Sequence, residues 1–409
     1  MNILLINHYA GSPEMGMEFR PYYLAREWVR MGHMVTIVAG DYSHLRDTNP
    51  SIETDFEESN VDGIRYCWVK TGSYEGNGAV RALSMFRFVG KLLAHARSLV
   101  LRYKPDIVIA SSTYPLDTYA AQKIARLVGA EYIHEVHDMW PSTLYEVGGM
   151  SQKHPFVQLM QIAENSAYKH CNKCVSLLPY AKEYMVGHGL QPDKFVHIPN
   201  GVVLSEWENP QTLPEEHLNA LEEYKDRFIV GYFGGHAVSN ALDTLLDAAK
   251  LEDDPEVLFV LVGKGVEKER LEQRASEESI SNVLFLPAIP KASVPSLLQR
   301  FDCSYMGGLD SPLYRFGLCL NKMYDSMMAG LPTICAFNAP PTPIVVYECG
   351  VQVSPRPREI VEAVSWLKGM DDAEFHAMGE RGNVAAESHF TYAQLAKAFV
   401  EKAFQPTRK

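Results

Sequence analysis

Asn2-Ile-Leu-Leu-Ile-Asn7, His8-Tyr-Ala-Gly-Ser-Pro-Glu-Met-Gly16, Tyr22-Tyr-Leu-Ala-Arg-Glu-Trp-Val-Arg30 and Val35-Thr-Ile-Val-Ala39 stand near the start of the chain in that order. The first and last are short apolar runs of the kind that form strands buried on both faces. Between them lie a glycine-bearing loop and a helix that Gly32-His33 closes. Strand, loop, helix and strand make a βαβ unit, which implies a parallel sheet with a crevice at the carboxyl ends of its strands. The glycine spacing Gly11-x4-Gly16 is neither a dinucleotide fingerprint nor a P-loop. At the helix start, Arg20 has two readings: it meets a substrate phosphate or carboxylate, or it pairs with Glu18 or another acid.

The alternation continues. Pro105-Asp-Ile-Val-Ile-Ala110 is a buried strand, and Glu131-Tyr-Ile-His-Glu-Val136 is another that ends in His137-Asp138 at the crevice rim. His137 either makes a structural hydrogen bond or orients a hydroxyl through a ring nitrogen. Residues 41–63 are polar and acidic without a period and read as a loop. After Phe195-Val-His-Ile-Pro-Asn-Gly-Val202, the stretch from Leu204 to Pro214 reads as a linker. The βα pattern then restarts at Phe228-Ile-Val-Gly-Tyr-Phe-Gly-Gly235 and continues through Glu256 to Gly263, with Lys264-Gly265, and Asn282 to Pro287. A chain of 409 residues is too long for one ordinary core. Two α/β domains are expected, 1–203 and 204–388.

The chain is 46% hydrophobic and 22% charged, which suits a globular protein, and no apolar run approaches a membrane span. A cytoplasmic location is expected. The 7 cysteines are scattered through apolar runs, as reduced buried thiols are, and Cys171-x2-Cys174 has no second pair to complete a zinc site. The net charge of −12 falls almost wholly after residue 200, which argues against nucleic-acid binding. Val80 to Tyr103 reads as a basic amphipathic helix with Leu83, Phe86, Val89, Leu93, Ala96 and Val100 in one stripe. It either packs on the sheet or lies against anionic lipid through residues 80–104.

The chemistry concentrates in Phe316-Gly-Leu-Cys-Leu-Asn-Lys-Met-Tyr-Asp-Ser-Met-Met-Ala-Gly-Leu-Pro332. A turn enters a helix that Gly330 and Pro332 stop. Lys322 and Asp325 share one face near its N-terminus, where free N–H groups favour an anion. Cation and carboxylate together suit a nucleoside diphosphate; the plain alternative is a surface i,i+3 ion pair.

This segment resembles the nucleotide-sugar motif of family 4 glycosyltransferases, a Glu, seven residues and a second Glu followed by Ala-Met-Ala-x-Gly-x-Pro. The second Glu falls on Asp325. The first falls on Gly317, so that carboxylate is missing, and the Asn321-Lys322 pair resembles a bacterial polysaccharide-assembly subgroup that lacks it. The glycine loop, His137-Asp138 and the Pro199-Asn-Gly201 turn also resemble the family. Gly235 and Asn240 stand where many members carry an Arg and a Lys for the diphosphate.

The resemblance implies an α/β GT-B fold, two Rossmann-like domains facing across a cleft with the final helix (389–409) crossing back to the first. It implies a retaining, metal-independent transfer from a nucleotide sugar, UDP-linked by preference, without a cofactor. The acceptor would be a lipid-linked saccharide of O-antigen, capsule or exopolysaccharide. Lys322 would neutralise the departing diphosphate, His137 would position the donor ring, and Asp325 would hold the ribose. Gly234, Gly235, His236, Lys264, Pro287 and Ile289 would surround the nucleotide. Gly11, Gly16, Arg20, Leu320 and Asn321 would lie near the diphosphate or donor sugar, and Glu18 and Asp138 toward the acceptor. A UDP-sugar 2-epimerase and a non-catalytic nucleotide-sugar-binding subunit are the rival readings.

Overall fold

The computed structural model describes residues 1–16, 19–76 and 78–404. Glu18 therefore lies outside the described residues. The chain forms two compact units, one of Met1–Pro199 with the chain from Tyr392, the other Asn200–Thr391. The divisions fall at 200 and 392 rather than 204 and 389, because the turn belongs to the second unit. The Asn200 amide donates to Cys319 Sγ at 3.1 Å, and the Val202 amide to the Phe390 carbonyl at 2.8 Å. The expected linker opens with a helical turn, Leu204–Glu208, whose Trp207 packs on that unit's core.

The first unit holds β1 (Asn2–Ile6), β2 (Met34–Gly40), β3 (Glu57–Val61), β4 (Ile64–Val69), β5 (Ile107–Ala110), β6 (Glu131–Val136), β7 (Lys173–Ser176) and β8 (Phe195–His197), ordered β3-β4-β2-β1-β5-β6-β7-β8. All neighbours are parallel except the β3–β4 hairpin. That hairpin corrects the expected 41–63 loop. Asp62 and Gly63 take φ of 52° and 80°, both left-handed as a tight hairpin turn requires. The polar Glu57-Glu58-Ser59-Asn60 run gives no apolar alternation to reveal the strand.

The helix Phe19–Arg30 buries Trp28 completely. Its indole N–H donates to the Ala396 carbonyl at 3.2 Å, and its ring meets Phe399 and Phe404, which fixes the helix Tyr392–Ala403 to the first unit. The basic helix, Ala79–Tyr103, turns differently from the expected stripe. It buries Met85, Phe88, Val89, Leu92, Ala96 and Leu99, and leaves Leu83 46% and Phe86 43% exposed. Cys171 and Cys174 are free and buried.

The second unit is a six-stranded parallel sheet ordered β11-β10-β9-β12-β13-β14, made of β9 (Phe228–Phe233), β10 (Val257–Val262), β11 (Val283–Leu286), β12 (Cys303–Gly307), β13 (Thr333–Ala336) and β14 (Gly350–Val353). Every residue of β10 is buried, the continuous apolar pattern of a strand covered on both faces. The order runs outward in both directions from β9 and β12, so their carboxyl ends flank the switch point where α/β folds bind ligands.

Candidate functional site

In the second unit, Gly234-Gly235-His236 leaves β9 and Gly263-Lys264-Gly265 leaves β10. The loops touch closely enough that a Cβ at Gly263 would lie 1.9 Å from the Gly234 carbonyl oxygen, so only glycine fits. The Gly235 carbonyl accepts from Tyr232 Oη at 2.6 Å and Asn240 Nδ2 at 2.8 Å. Asn240, where a lysine was expected in the family, thus shapes the loop, while the Gly235 amide has no hydrogen-bond partner among the described residues.

Lys322 reaches this loop from the helix Asn321–Met328. Its Nζ donates to Tyr232 Oη at 3.1 Å, sits 4.2 Å from the centre of the Tyr232 ring, and would meet a Cβ on Gly234 at 3.3 Å. No carboxylate pairs with it among the described residues, and burial pushes its pKa down to about 7. No side chain caps the helix start at Leu320, so its first N–H groups have no side-chain acceptor there and favour an anion.

Gly317 adopts φ 92° and ψ −178°, a conformation essentially reserved for glycine. A glutamate placed at this position would be strained in that conformation. Beside it an open depression of about 730 Å³ is lined by Asp310, Ser311, Pro312, Arg315, Asn338 and neighbours. Pro287 is exposed and Ile289 half-buried after β11, and Lys264 is exposed. Asp325 is buried, with both carboxylate oxygens 2.8 Å from Lys291 Nζ. Lys291 went unnoticed in the sequence, and at 34 positions away nothing in the spacing links it to Asp325.

His236 corrects its expected place on the nucleotide. The ring is wholly buried, both nitrogens lack partners, and burial, with Lys268 and Lys322 nearby, pushes its pKa down to about 4. It is a neutral wedge beneath the loop.

In the first unit, His137 Nε2 lies 3.0 Å from Glu135 Oε2 and 2.9 Å from Ser111 Oγ. Ser111 in turn donates to Glu135 at 2.6 Å. Two acceptors around Nε2 fix the tautomer with that nitrogen protonated, leaving Nδ1 to meet a ligand. The other Glu135 oxygen takes Arg20 Nε at 3.0 Å, and Arg20 also donates to the Ile198 and Pro199 carbonyls. Burial works against the Glu135 charge, but Arg20 and His137 outweigh it and hold its pKa down to about 2.

Arg20 therefore takes the structural reading, in a buried ion pair rather than against a diphosphate. Asp138 Oδ1 is committed locally, accepting from the Met139 amide and Thr143 Oγ1, both at 2.9 Å. Gly11 and Gly16 flank the loop after β1, where the Gly11 carbonyl accepts from Tyr66 Oη at 2.7 Å. Glu135 was missed, although residues two apart on a strand share a face and Glu135-x-His137 carries that signal.

The comparisons agree with this architecture. The "Glycosyl transferase 4-like domain" model matches residues 15–201, and "Glycosyl transferases group 1" matches residues 215–383. The putative colanic acid biosynthesis glycosyl transferase WcaI of Escherichia coli is 23% identical over 206 residues, 49% of this chain and 50% of that protein. The chain thus spans about half the length of the curated relative it matches. Among solved structures, sucrose-phosphate synthase of Thermosynechococcus elongatus has a TM-score of 0.75 at 16% identity, covering 98% of each chain. Anabaena HepE, in complex with UDP and glucose, has a TM-score of 0.67 at 16% identity, again over 98% of each. With two successive family models matched in order and this two-sheet architecture, the chain belongs to the family 4 glycosyltransferases of GT-B fold.

Proposed function

We propose that the protein transfers a sugar, with retention and without a metal, from a UDP-linked donor to a lipid-linked saccharide during assembly of a bacterial surface polysaccharide. Lys322 carries this reading. A half-buried ammonium with no anionic partner among the described residues, against a glycine loop and an uncapped helix, is an unfilled anion site. It would neutralise the charge developing on the leaving diphosphate, while Asp325 holds the ribose and the Pro287–Ile289 backbone cups the base. His137 orients a sugar hydroxyl through Nδ1, and the acceptor hydroxyl attacks from the face of departure, with no protein nucleophile. The names of WcaI and HepE support the pathway and the nucleotide class. A thermal-shift panel of nucleotide sugars should show UDP sugars raising Tm with concentration, and release of UDP should require a lipid-linked acceptor. UDP release without acceptor, or sugar isomerisation, would overturn the transferase reading.

A lipid-linked acceptor also gives the basic helix a role. Lys91 is paired with Asp55 at 2.6 Å, whereas the exposed Arg87 gives one hydrogen bond to the Thr71 carbonyl and keeps its charge. The exposed face also carries Leu83, Phe86, Arg97 and Leu101, spaced to share one side. Among the described residues no helix is long and apolar enough to cross a membrane. Replacing Leu83 and Phe86 with Asp should abolish sedimentation with phosphatidylglycerol vesicles; unchanged sedimentation would rule out this surface.

A further inference from the structure

Lys291 stands in the short turn Lys291–Ser293, directly after the Pro287–Pro290 segment. Its ammonium touches both oxygens of Asp325, whose side chain is 7% exposed against 37% for Lys291. Most of the pair's exposed surface therefore belongs to Lys291, with a small part of Asp325 still accessible. Burial alone would lower the lysine pKa, yet Asp325 outweighs it and keeps the ammonium charged. The Glu206 carboxylate acts in the same direction.

An isolated carboxylate can only accept, so it would take both protons of a vicinal diol. Joined to an ammonium it becomes a two-part reader. The carboxylate retains lone pairs, and the ammonium has a third hydrogen beyond the two turned to Asp325. One hydroxyl can then donate to Asp325 while the oxygen of its neighbour accepts from Lys291.

We propose that Lys291 and Asp325 together read the ribose 2′,3′-diol of the donor nucleotide, which makes Lys291 a specificity-determining residue for ribonucleotide over deoxyribonucleotide donors. The proposal rests on the reading that Asp325 meets the ribose. A site that merely cupped the base would bind UDP and 2′-deoxy-UDP alike. A diol reader leaves one charged partner unmatched when a hydroxyl is absent.

Calorimetric titration with UDP and 2′-deoxy-UDP tests it. The unaltered protein should prefer UDP by roughly tenfold, the scale of one charge-assisted hydrogen bond. Lys291→Gln should bring the two ligands to within about twofold, mostly through weaker UDP binding. Because that variant leaves a buried carboxylate without its cation, Lys291→Gln/Asp325→Asn is measured beside it and should show the same lost preference. An unchanged UDP preference in both variants would overturn the proposal. So would tighter UDP binding by Lys291→Gln, which would mark the lysine as a block on the carboxylate. Asp325→Asn separates the two layers of inference. If it binds UDP normally, the ribose does not lie at Asp325; if it weakens UDP while Lys291→Gln keeps the preference, only the role of Lys291 fails.

Discussion

Lys322→Met should lower kcat by about a hundredfold to a thousandfold, the range for removing one group aimed at developing negative charge. The same change should leave Tm unchanged or slightly raised, because the lysine is a desolvated cation with no anion to compensate it among the described residues. That pairing of effects is the distinctive part. A surface i,i+3 ion pair would show neither, and a non-catalytic binding subunit would have no turnover to lose.

The pH dependence follows from the same burial. Free of ligand, the ammonium titrates at about 7. A diphosphate favours the charged form, so UDP affinity should be fully present below pH 7 and weaken as pH rises through it. The slope should approach tenfold per pH unit well above 7. His236, held down to about 4, stays neutral across this window and adds nothing. Calorimetric titration of UDP between pH 6 and 9 (roughly the span that brackets the lysine) checks the slope, which should vanish in Lys322→Met.

The second large effect is expected at Glu135. Glu135→Gln removes the charge that compensates buried Arg20, and breaking a buried pair in this way costs about 3 kcal/mol or more. For a unit of this size that lowers Tm by roughly 6–12 °C. Turnover should fall roughly tenfold or more, since His137 loses the acceptor that fixes its proton on Nε2. The sign of the pH effect is clear. The carboxyl is held down to about 2, below its ordinary 4.5, so its contribution is present above 4.5 and lost as pH falls toward 2. Acid denaturation of Glu135→Gln should therefore lack that component. If Tm, turnover and the acid limb all match the unaltered protein, the network does not position His137.

Much of this protein was legible before folding. The apolar runs of β1, β2, β5, β9 and β10 were read because strands buried on both faces need no partner to show their pattern. Lys322 and Asp325 were found because a helix turns three positions into one face. The failures share a cause. β3 carries no apolar alternation and exists because Asp62-Gly63 folds it onto β4. The stripe of the basic helix could not be read because both of its faces carry apolar residues, and only packing, chiefly against the helix Asp117–Val128, selects Met85, Phe88 and Leu92.

The elements, their alternation and the family could be read from residue order, since each depends on spacing along the chain. Which charges are already spent could not, and only folding decided it. Arg20 and Glu135 lie 115 positions apart and Lys291 and Asp325 lie 34 apart, yet each pair closes at hydrogen-bond distance. Lys322 meets no such carboxylate among the described residues. Whether a charge is neutralised or left waiting for a ligand depends on what the folded chain brings beside it.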